Sequence, residues 1–396
     1  MKRAALLIVL IAVLVPAAAG EDSSYYGIPA GGIVNDVAIA ADGRYMVAGT
    51  GEGSIVCLQR NGTIAWNVSA GNAVTAVAAA DAGNYIAAGT DAGEVLLLDE
   101  RNGNRYWTAS VAGPVRDLAF SGDGRALAVG GNRITLFDHL GAERWNASIG
   151  GSSPVSPITT PVVPTVAFTA DGNYIVAGSD NGAIHFLRRQ GTRAWQALAR
   201  GPITAVDVSR DGSVVAAGGR DRALLIYNRE GGLVWAMPTG APILTLALSA
   251  DGRFAAVGKE GGDLECYRPR EGLLWTNRTG GDVLAVDISR QGEAVAAGTA
   301  AGSVHLFSGA GNARWSFDAG APVTAVALSR SGDYLAAGAG EQAFIFRTAD
   351  VPVPAPTGPA ENATPVATPT RAGGAGALIG IVAVTAAVAG SLFRRR

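Results

Sequence analysis

The chain has 396 residues, of which 48% are hydrophobic and 16% are charged, and its formal net charge is −2. Leaving out Lys2, Arg3 and residues 394–396 gives 26 basic against 33 acidic residues, a charge of −7. Nucleic-acid binding requires a basic face, so this balance argues against a nucleic-acid partner. The two cysteines, Cys57 and Cys266, do not make a disulfide framework, and we expect both to be buried.

Residues 1–20 have the pattern of a secretory signal peptide. Two basic residues precede an apolar run at residues 4–15, and small residues follow it. The run is too short to favour a membrane-spanning helix. We expect cleavage near Ala19 or Gly20, with an uncleaved anchor as the alternative.

The middle of the chain repeats one unit of forty residues, with two longer steps. In one copy, residues 202–235, three short apolar segments and a fourth around Trp235 are separated by turn signals. A unit this small cannot bury its own apolar faces, and four strands in forty residues are typical of a propeller blade. We therefore predict an all-β, eight-bladed β-propeller of four-stranded antiparallel blades at residues 21–348. The copies align on turn glycines at Gly43, Gly83, Gly124, Gly172, Gly212, Gly252, Gly292 and Gly332.

The eighth copy, residues 322–347, supplies only three strands and lacks the tryptophan that closes each of the other seven. Six of those tryptophans precede the next strand by eight residues, and Tyr26 precedes Val34 by the same number. Residues 23–28 therefore fit the vacant edge of blade 8 and close the ring. The alternative is a seven-bladed ring in which residues 322–347 pack elsewhere. One tryptophan per blade favours packing between blades for Trp66, Trp107, Trp145, Trp195, Trp235, Trp275 and Trp315.

The C-terminal part predicts a membrane anchor. Residues 349–371 form a Pro/Thr-rich stalk, and residues 372–393 are 22 residues without a charge. As a helix they are long enough for a hydrocarbon layer of roughly 30 Å. The basic residues 394–396 favour a cytoplasmic tail, so we predict a single-pass cell-membrane protein with an extracytoplasmic propeller.

Several motifs resemble known propeller families. The Ser/Thr-x-Asp-Gly turns at residues 169–172, 209–212 and 249–252 are similar to the first hairpin of WD repeats. Residues 99–107, DERNGNRYW, are similar to the tryptophan-docking motif of quinoprotein-type (PQQ-like) propellers. The order of signal, propeller, stalk, helix and basic tail also resembles archaeal cell-surface proteins. The resemblance covers residues 23–347 and implies a propeller fold, although the Gly-His and Trp-Asp pairs of WD repeats and the adjacent cysteine pair of quinoprotein dehydrogenases are missing.

Catalysis needs titratable groups that converge, and this chain contains few. The three histidines are His139, His185 and His305. We expect His185 and His305 to be solvent-facing strand residues on blades that are not adjacent, which disfavours a shared metal. We therefore predict no catalytic residues, no cofactor and no metal, and a protein that is not an enzyme.

One connection is eight residues longer than the others and lies at residues 150–161, between blades 3 and 4. It shares a face with the loops between second and third strands, and insertions on one face of a repeat fold often mark the binding face. A tolerated surface loop is the alternative. The candidate binding residues on this face are Ser152, Ser153, Ile158, Thr159, Arg220, Asp221, Arg222, Lys259 and Glu260.

Asp207 and Asp287 occupy an inner-strand position that is alanine in the other six copies. An acid near the axis must be hydrated, paired or hydrogen-bonded. We expect pairing with nearby loop donors, with a polar channel or a cation site as the alternative. Sequons make Asn61, Asn67, Asn146, Asn277 and Asn362 glycosylation candidates.

These patterns favour a membrane-anchored propeller at the cell surface that is a non-enzymatic binding or scaffold module for a protein or glycan partner in the envelope. One alternative is an exported quinoprotein-like redox enzyme or metal-binding propeller, with a cofactor or calcium near Asp207 and Asp287. Another is an envelope assembly factor.

Overall fold

The structure is a computed structural model that describes residues 24–82, 84–148 and 162–350. Within these ranges the chain forms 32 β-strands in eight four-stranded sheets, and consecutive strands in each sheet are antiparallel. The predicted eight-bladed all-β propeller is confirmed.

The first strand is β1 (Tyr25–Pro29). Blade 1 contains β2 (Val34–Ile39), β3 (Tyr45–Thr50), β4 (Ser54–Gln59) and β5 (Ile64–Ser69). Blade 2 contains β6 (Val74–Ala79), β7 (Tyr85–Thr90), β8 (Glu94–Asp99) and β9 (Arg105–Ser110). Blade 3 contains β10 (Asp117–Phe120), β11 (Ala126–Gly130), β12 (Ile134–Asp138) and β13 (Glu143–Ala147). Blade 4 contains β14 (Thr165–Phe168), β15 (Tyr174–Gly178), β16 (Ala183–Arg188) and β17 (Arg193–Leu198).

The second half repeats this order. Blade 5 contains β18 (Ile203–Val208), β19 (Val214–Gly219), β20 (Ala223–Asn228) and β21 (Leu233–Pro238). Blade 6 contains β22 (Ile243–Leu248), β23 (Ala255–Lys259), β24 (Asp263–Arg268) and β25 (Gly272–Arg278). Blade 7 contains β26 (Val283–Ile288), β27 (Ala294–Thr299), β28 (Ser303–Ser308) and β29 (Ala313–Asp318). Blade 8 contains β30 (Val323–Leu328), β31 (Tyr334–Ala339) and β32 (Gln342–Arg347).

Strand β1 closes the ring as the outer strand of blade 8. It pairs with β32 in antiparallel register, with Tyr26 opposite Ile345. Gly62, in the turn between the third and fourth strands of blade 1, packs directly on the Tyr26 ring. Glycines at the same position of other blades pack on tryptophan rings. This arrangement confirms the predicted seam and removes an open strand edge from blade 8.

The core lies between the blades. Apolar residues of each pair of neighbouring blades form one cluster, so the described residues contain eight clusters at eight interfaces. Each second strand carries a glycine where the next blade's first strand comes close. A Cβ on Gly258, for example, would lie 2.6 Å from Val283 Cγ1. The other seven are Gly49, Gly89, Gly130, Gly178, Gly218, Gly298 and Gly338.

The tryptophans join the blades at the rim. The indole N–H of Trp66 donates to the carbonyl of Glu100 in blade 2 over 2.8 Å, and that of Trp275 to the carbonyl of Gly309 in blade 7 over 3.0 Å. Within the described residues, six of the seven tryptophans donate such a bond, and Trp235 does not. Packing between blades is therefore confirmed. Cys57 and Cys266 are both buried free thiols, as expected.

The predicted signal peptide, the insertion at residues 150–161, residues 351–371 of the stalk, the anchor at residues 372–393 and the tail lie outside the described residues. No helix long and apolar enough to cross a membrane occurs among the residues that are described.

Candidate binding faces and the axial channel

The antiparallel order gives the propeller two distinct faces. The turns between first and second strands lie on one face, which we call the turn face. The loops between second and third strands, and the connections from one blade to the next, lie on the opposite face, which we call the loop face. Of the predicted binding residues that the structure describes, Arg220, Asp221, Arg222 and Glu260 lie in loops of the loop face.

Arg220, Asp221 and Arg222 form the loop between the second and third strands of blade 5. Both arginine side chains are exposed, and neither has a side-chain partner within the described ranges. Asp221 is half-buried, and its Oδ2 accepts the backbone N–H of Arg200 over 3.3 Å. Asp221 Oδ1 is buried without a hydrogen-bond partner among the described residues. The aspartate thus fixes the loop against the connection from blade 4, and the two arginines project from it.

Arg222 has a backbone conformation that is unusual for its residue type. Its φ is +62°, in the left-handed region. Non-glycine residues pay roughly 1–2 kcal/mol in this region because Cβ approaches the following carbonyl oxygen. In five other blades the same position is a glycine with positive φ: Gly53, Gly93, Gly182, Gly262 and Gly302.

Sequence reasoning missed Arg200, which the fold places next to this loop. Its exposed side chain adds a third arginine to the loop face between blades 4 and 5. A Cβ on its neighbour Gly201 would lie 3.4 Å from the Asp221 Cβ. The sequence contained the information needed to find it. In a propeller, the connection that enters a blade lies beside the loop between the second and third strands of the same blade, and that loop follows about twenty residues later in the chain.

Lys259 is a correction to the prediction. We expected a loop residue on the surface, but it ends strand β23 and only 4% of the residue is exposed. Its ammonium donates to Glu265 Oε1 over 2.6 Å and to the carbonyl of Thr239 over 2.9 Å. A buried charge requires such partners, so Lys259 is a structural residue. Glu260, the next residue, is exposed on the loop face.

Four of the predicted binding residues, Ser152, Ser153, Ile158 and Thr159, lie outside the described residues. The chain rejoins the described part at Val162, whose backbone N–H donates to Asp180 Oδ1 over 3.0 Å. Asp180 lies in the loop between second and third strands of blade 4, so Val162 lies on the loop face.

The axial acids link neighbouring blades. Asp207 Oδ1 accepts the N–H of Val208 and its Oδ2 accepts the N–H of Leu248, both over 2.7 Å. Asp287 bonds in the same way to Ile288 in its own blade and to Leu328 in blade 8. The donors are strand amides of the adjacent blade, which corrects our expectation of loop donors. The redox hypothesis places a cofactor near Asp207 and Asp287. Both carboxylate oxygens of each residue already accept a hydrogen bond from the backbone.

Two further acids have the same role and were missed. Asp36 accepts the N–H groups of Val37 and Val77, and Asp117 accepts those of Leu118 and Val166, all over 2.8 Å. They lie two residues earlier on the inner strand than Asp207 does, so a comparison at one position did not reveal them. An inner-strand aspartate in every second copy is the signal that could have found them. The four acids join blades 1 and 2, 3 and 4, 5 and 6, and 7 and 8.

Burial around the channel raises the pKa of these acids. It raises the pKa of Asp36 and of Asp207 from 3.8 to about 6, and that of Asp117 and of Asp287 to about 7. The backbone N–H bonds favour the anion, but desolvation exceeds their effect. The charge of Asp36 raises the pKa of Asp117 further, and Asp207 does the same for Asp287.

His185 is also a correction. We expected a solvent-facing residue, but it is 6% exposed, and burial lowers its pKa to about 4. His305 is half-buried, and its Nε2 lies 3.2 Å from the Thr279 carbonyl oxygen. The third strand is covered by the neighbouring blade on both faces, so strand alternation does not place a solvent side there. In the described part of the chain, no group of three or more His, Cys, Asp or Glu residues could hold a metal ion.

The sequon asparagines differ in their surroundings. Asn61, Asn67 and Asn146 are exposed. Asn277 is half-buried, and its amide donates to the carbonyl of Gly311 over 2.8 Å. Asn362 lies outside the described residues. Asn277 is therefore the least accessible of the four that the structure describes.

Comparisons with known proteins agree on the fold. A profile for the family described as outer membrane protein assembly factor BamB, a PQQ-like family, matches residues 51–226. No curated protein sequence matches the chain. Sqt1 of Chaetomium thermophilum, bound to the N-terminus of the ribosomal protein L10, is similar with a TM-score of 0.72 and 14% identity, over 81% of this chain and 98% of that one.

Two other solved structures are similar. The C-terminal WD40 domain of Sif2 has a TM-score of 0.69 and 15% identity, covering 80% of this chain and 96% of that one. The computationally designed Ika8 protein has a TM-score of 0.67 and 17% identity, with the same coverage of 80% and 96%. The predicted resemblance to WD-repeat and PQQ-like propellers is confirmed as a resemblance of fold.

Proposed function

We propose that this chain is a non-enzymatic binding module that holds a protein partner on its loop face, at the outer surface of the membrane. The observation that carries the proposal is Arg222. A glycine with positive φ serves at this position in five other blades, so the loop itself does not require an arginine there. Three non-glycine residues in the described ranges have positive φ, Asn84, Arg222 and Arg270, and of these only Arg222 lies on the loop face. Backbone strain retained at such a position points to a function for its side chain.

The surroundings of Arg222 support a recognition site. Arg200 and Arg220 are exposed beside it, and Asp221 holds the loop in place. Arginine side chains on a rigid loop lose little conformational entropy when they bind a partner, and arginine is enriched at the centres of protein interfaces. A propeller of similar fold, Sqt1, was solved with the N-terminus of another protein bound.

The location rests on the two ends of the chain. A signal-like N-terminus and an uncharged segment of 22 residues followed by three arginines favour an exported, single-pass protein. In that topology the stalk presents the propeller to partners outside the cell.

The test is crosslinking and pull-down on intact cells that express the tagged full-length chain. The Arg220→Gln/Arg222→Gly variant removes two positive charges from the loop face. The matched Arg125→Gln/Arg188→Gln variant removes two exposed charges from the turn face. We expect a protein partner that is recovered with the wild type and the control and is lost with the loop-face variant. Recovery of the same proteins by all three chains, or of a glycan alone, contradicts the proposal.

An envelope assembly factor is the second candidate function. The observation that favours it is the match of residues 51–226 to the profile described as an outer membrane protein assembly factor. This candidate expects the recovered partners to be components of membrane-protein insertion machinery. It also expects that deleting the chain lowers the amount of other envelope proteins.

A further inference from the structure

The loops of the loop face divide into a basic part and an acidic part, when each connection is counted with the blade that it enters. The loops of blades 3, 4 and 5 contain five arginines and two acids, a net charge of +3: Arg116, Arg133, Arg200, Arg220 and Arg222 with Asp180 and Asp221. In the loops of blades 6, 7, 8, 1 and 2 every charged residue is an acid: Glu260, Asp282, Glu341, Glu52 and Asp91. Residues 149–161, which the structure does not describe, contain no charged residue.

The five arginines of the basic part are not neutralised within the described part of the chain. All five are exposed, and none forms an ion pair there. The two acids beside them bind backbone groups instead. Asp180 accepts the N–H of Val162 over 3.0 Å, and Asp221 accepts that of Arg200 over 3.3 Å. The guanidinium groups therefore face solvent with their charge available.

The five acids of the acidic part also lack a basic partner. Four of them are exposed, and none of the five forms an ion pair within the described ranges. Asp282 is half-buried, and its Oδ1 accepts the N–H of Gly261 over 2.7 Å. Strand ends on this side of the loop face add two more acids, Glu94 and Asp318.

Two basic residues lie at strand ends of the acidic part, and both are already paired. Lys259 and Arg278 of blade 6 each lie 3.5 Å from a carboxylate oxygen of Asp263. Lys259 also forms an ion pair with Glu265. The strand ends of blade 6 therefore balance their own charges, and the negative charge of the loops remains.

The ends of the described chain leave the loop face open. Strand β1 begins on the turn face, and β32 ends there. The two ends lie side by side, where the N–H of Arg347 donates to the carbonyl of Ser24 over 3.1 Å. The described chain thus enters and leaves the propeller on the face opposite the basic and acidic parts.

We infer that two copies of this chain associate loop face to loop face, each placing its arginines over the acids of the other. The inference rests on the proposed function, because it names a second copy as the protein partner of the loop face. A half-turn about an axis in the contact plane, between blades 2 and 3 and between blades 6 and 7, sets blade 5 over blade 8 and blade 3 over blade 2. Arg220 and Arg222 then face Glu341, and Arg133 faces Asp91. The twofold axis makes each of these contacts twice.

Charge complementarity favours a second copy as the occupant. A partner with charges of one sign matches one part of the loop face and is repelled by the other, whereas a second copy presents both signs in the required order. Like charges meet only where blade 4 lies over blade 1 and blade 6 over blade 7. Asp180 and Asp282, one acid of each of these pairs, are half-buried and already bound to a backbone N–H. Such an arrangement of charge sets the register of a contact and speeds association.

The test is sedimentation velocity of the purified full-length chain. The Arg220→Glu/Arg222→Glu variant reverses the charge of the basic part, and the Glu52→Arg/Glu341→Arg variant reverses that of the acidic part. We expect the wild type to dimerise and the dissociation constant to rise about tenfold or more in either variant alone. An equimolar mixture of the two variants should dimerise about as well as the wild type, because each reversed part then faces its opposite.

The matched control is Arg125→Glu/Arg188→Glu, which makes the same change of charge on the turn face. It should change the dissociation constant less than about twofold. Raising the salt from 50 to 300 mM should weaken the wild-type dimer, because exposed charges are screened. Thermal unfolding of each variant at the wild-type temperature verifies that a loss of association is not a loss of fold.

Three results would overturn the inference. One is a wild type that stays monomeric up to about 100 μM in low salt. Another is equal dimerisation of the wild type and either reversed variant. The third is a mixture of the two variants that associates no better than each variant alone. A monomeric wild type whose pull-down still loses a different protein in Arg220→Gln/Arg222→Gly overturns this inference and leaves the proposed function standing.

Discussion

Asp287 Oδ2 accepts a 2.7 Å hydrogen bond from the backbone N–H of Leu328, so one carboxylate joins the inner strands of blades 7 and 8. Four aspartates join the eight blades in pairs in this way. Each such bond lies on inner strands whose Val, Leu and Ile residues also belong to the apolar clusters between blades. The inner strands of these four pairs of blades are therefore joined by polar contacts in addition to apolar ones.

The first prediction concerns the pH dependence of Asp287→Asn. Burial raises the pKa of Asp287 in the folded chain from 3.8 to about 7. Stability from this group is therefore fully present below pH 4 and is lost as the pH rises through 7. An asparagine does not titrate, and its NH2 group faces one of the two N–H donors, at a cost on the order of 1–3 kcal/mol.

We expect the wild type to exceed Asp287→Asn in free energy of unfolding at pH 4.5, and the difference to shrink by pH 8. Urea unfolding at both pH values measures it. The lowered pKa of His185, about 4, also makes stability depend on pH, but His185 is present in both chains, so its effect cancels in the difference. A gap between the two chains that stays constant from pH 4.5 to 8 would contradict the assignment.

Arg222→Gly should stabilise the chain. A glycine relieves the left-handed backbone strain at φ +62°, and we expect a gain of about 1 kcal/mol. Arg220→Gly is the control, because Arg220 does not have positive φ and the change only adds backbone freedom. Thermal unfolding should give a higher melting temperature for Arg222→Gly and an unchanged or lower one for Arg220→Gly. Equal shifts would mean that the strain is not stored at Arg222.

Gly258→Ala should destabilise the contact between blades 6 and 7. The new methyl would lie 2.6 Å from Val283 Cγ1 and 2.7 Å from Thr245 Cγ2, and overpacking of this kind costs about 1–3 kcal/mol. Gly51→Ala is the control, since its methyl would have no atom closer than 3.6 Å. Urea unfolding should show a lower midpoint only for Gly258→Ala.

Trp275→Phe and Trp235→Phe separate the indole hydrogen bond from the packing of the ring. Both tryptophans are half-buried in the same position of adjacent blades, but only Trp275 donates its N–H, to the carbonyl of Gly309. We expect Trp275→Phe to cost about 1 kcal/mol more than Trp235→Phe in free energy of unfolding. Equal costs would mean that the bond adds nothing to packing.

The sequence alone determined the architecture. Forty-residue spacing, turn glycines and one tryptophan per copy specify a four-stranded blade, and the offset of Tyr26 from Val34 was enough to place β1 at the seam. These features are local or periodic: each follows from turn geometry and from the need of every copy to bury the same two faces. The same holds for the burial of Cys57 and Cys266.

Only the tertiary structure decided which polar residues are exposed and therefore available to bind a partner. Lys259 and His185 read as surface residues, but the next blade or the next strand covers them. Asp36 and Asp117 were missed, because their position on the inner strand differs by two residues from that of Asp207. The physical reason is that burial and charge pairing in a propeller depend on residues one blade away, some forty positions along the chain, which no local pattern specifies.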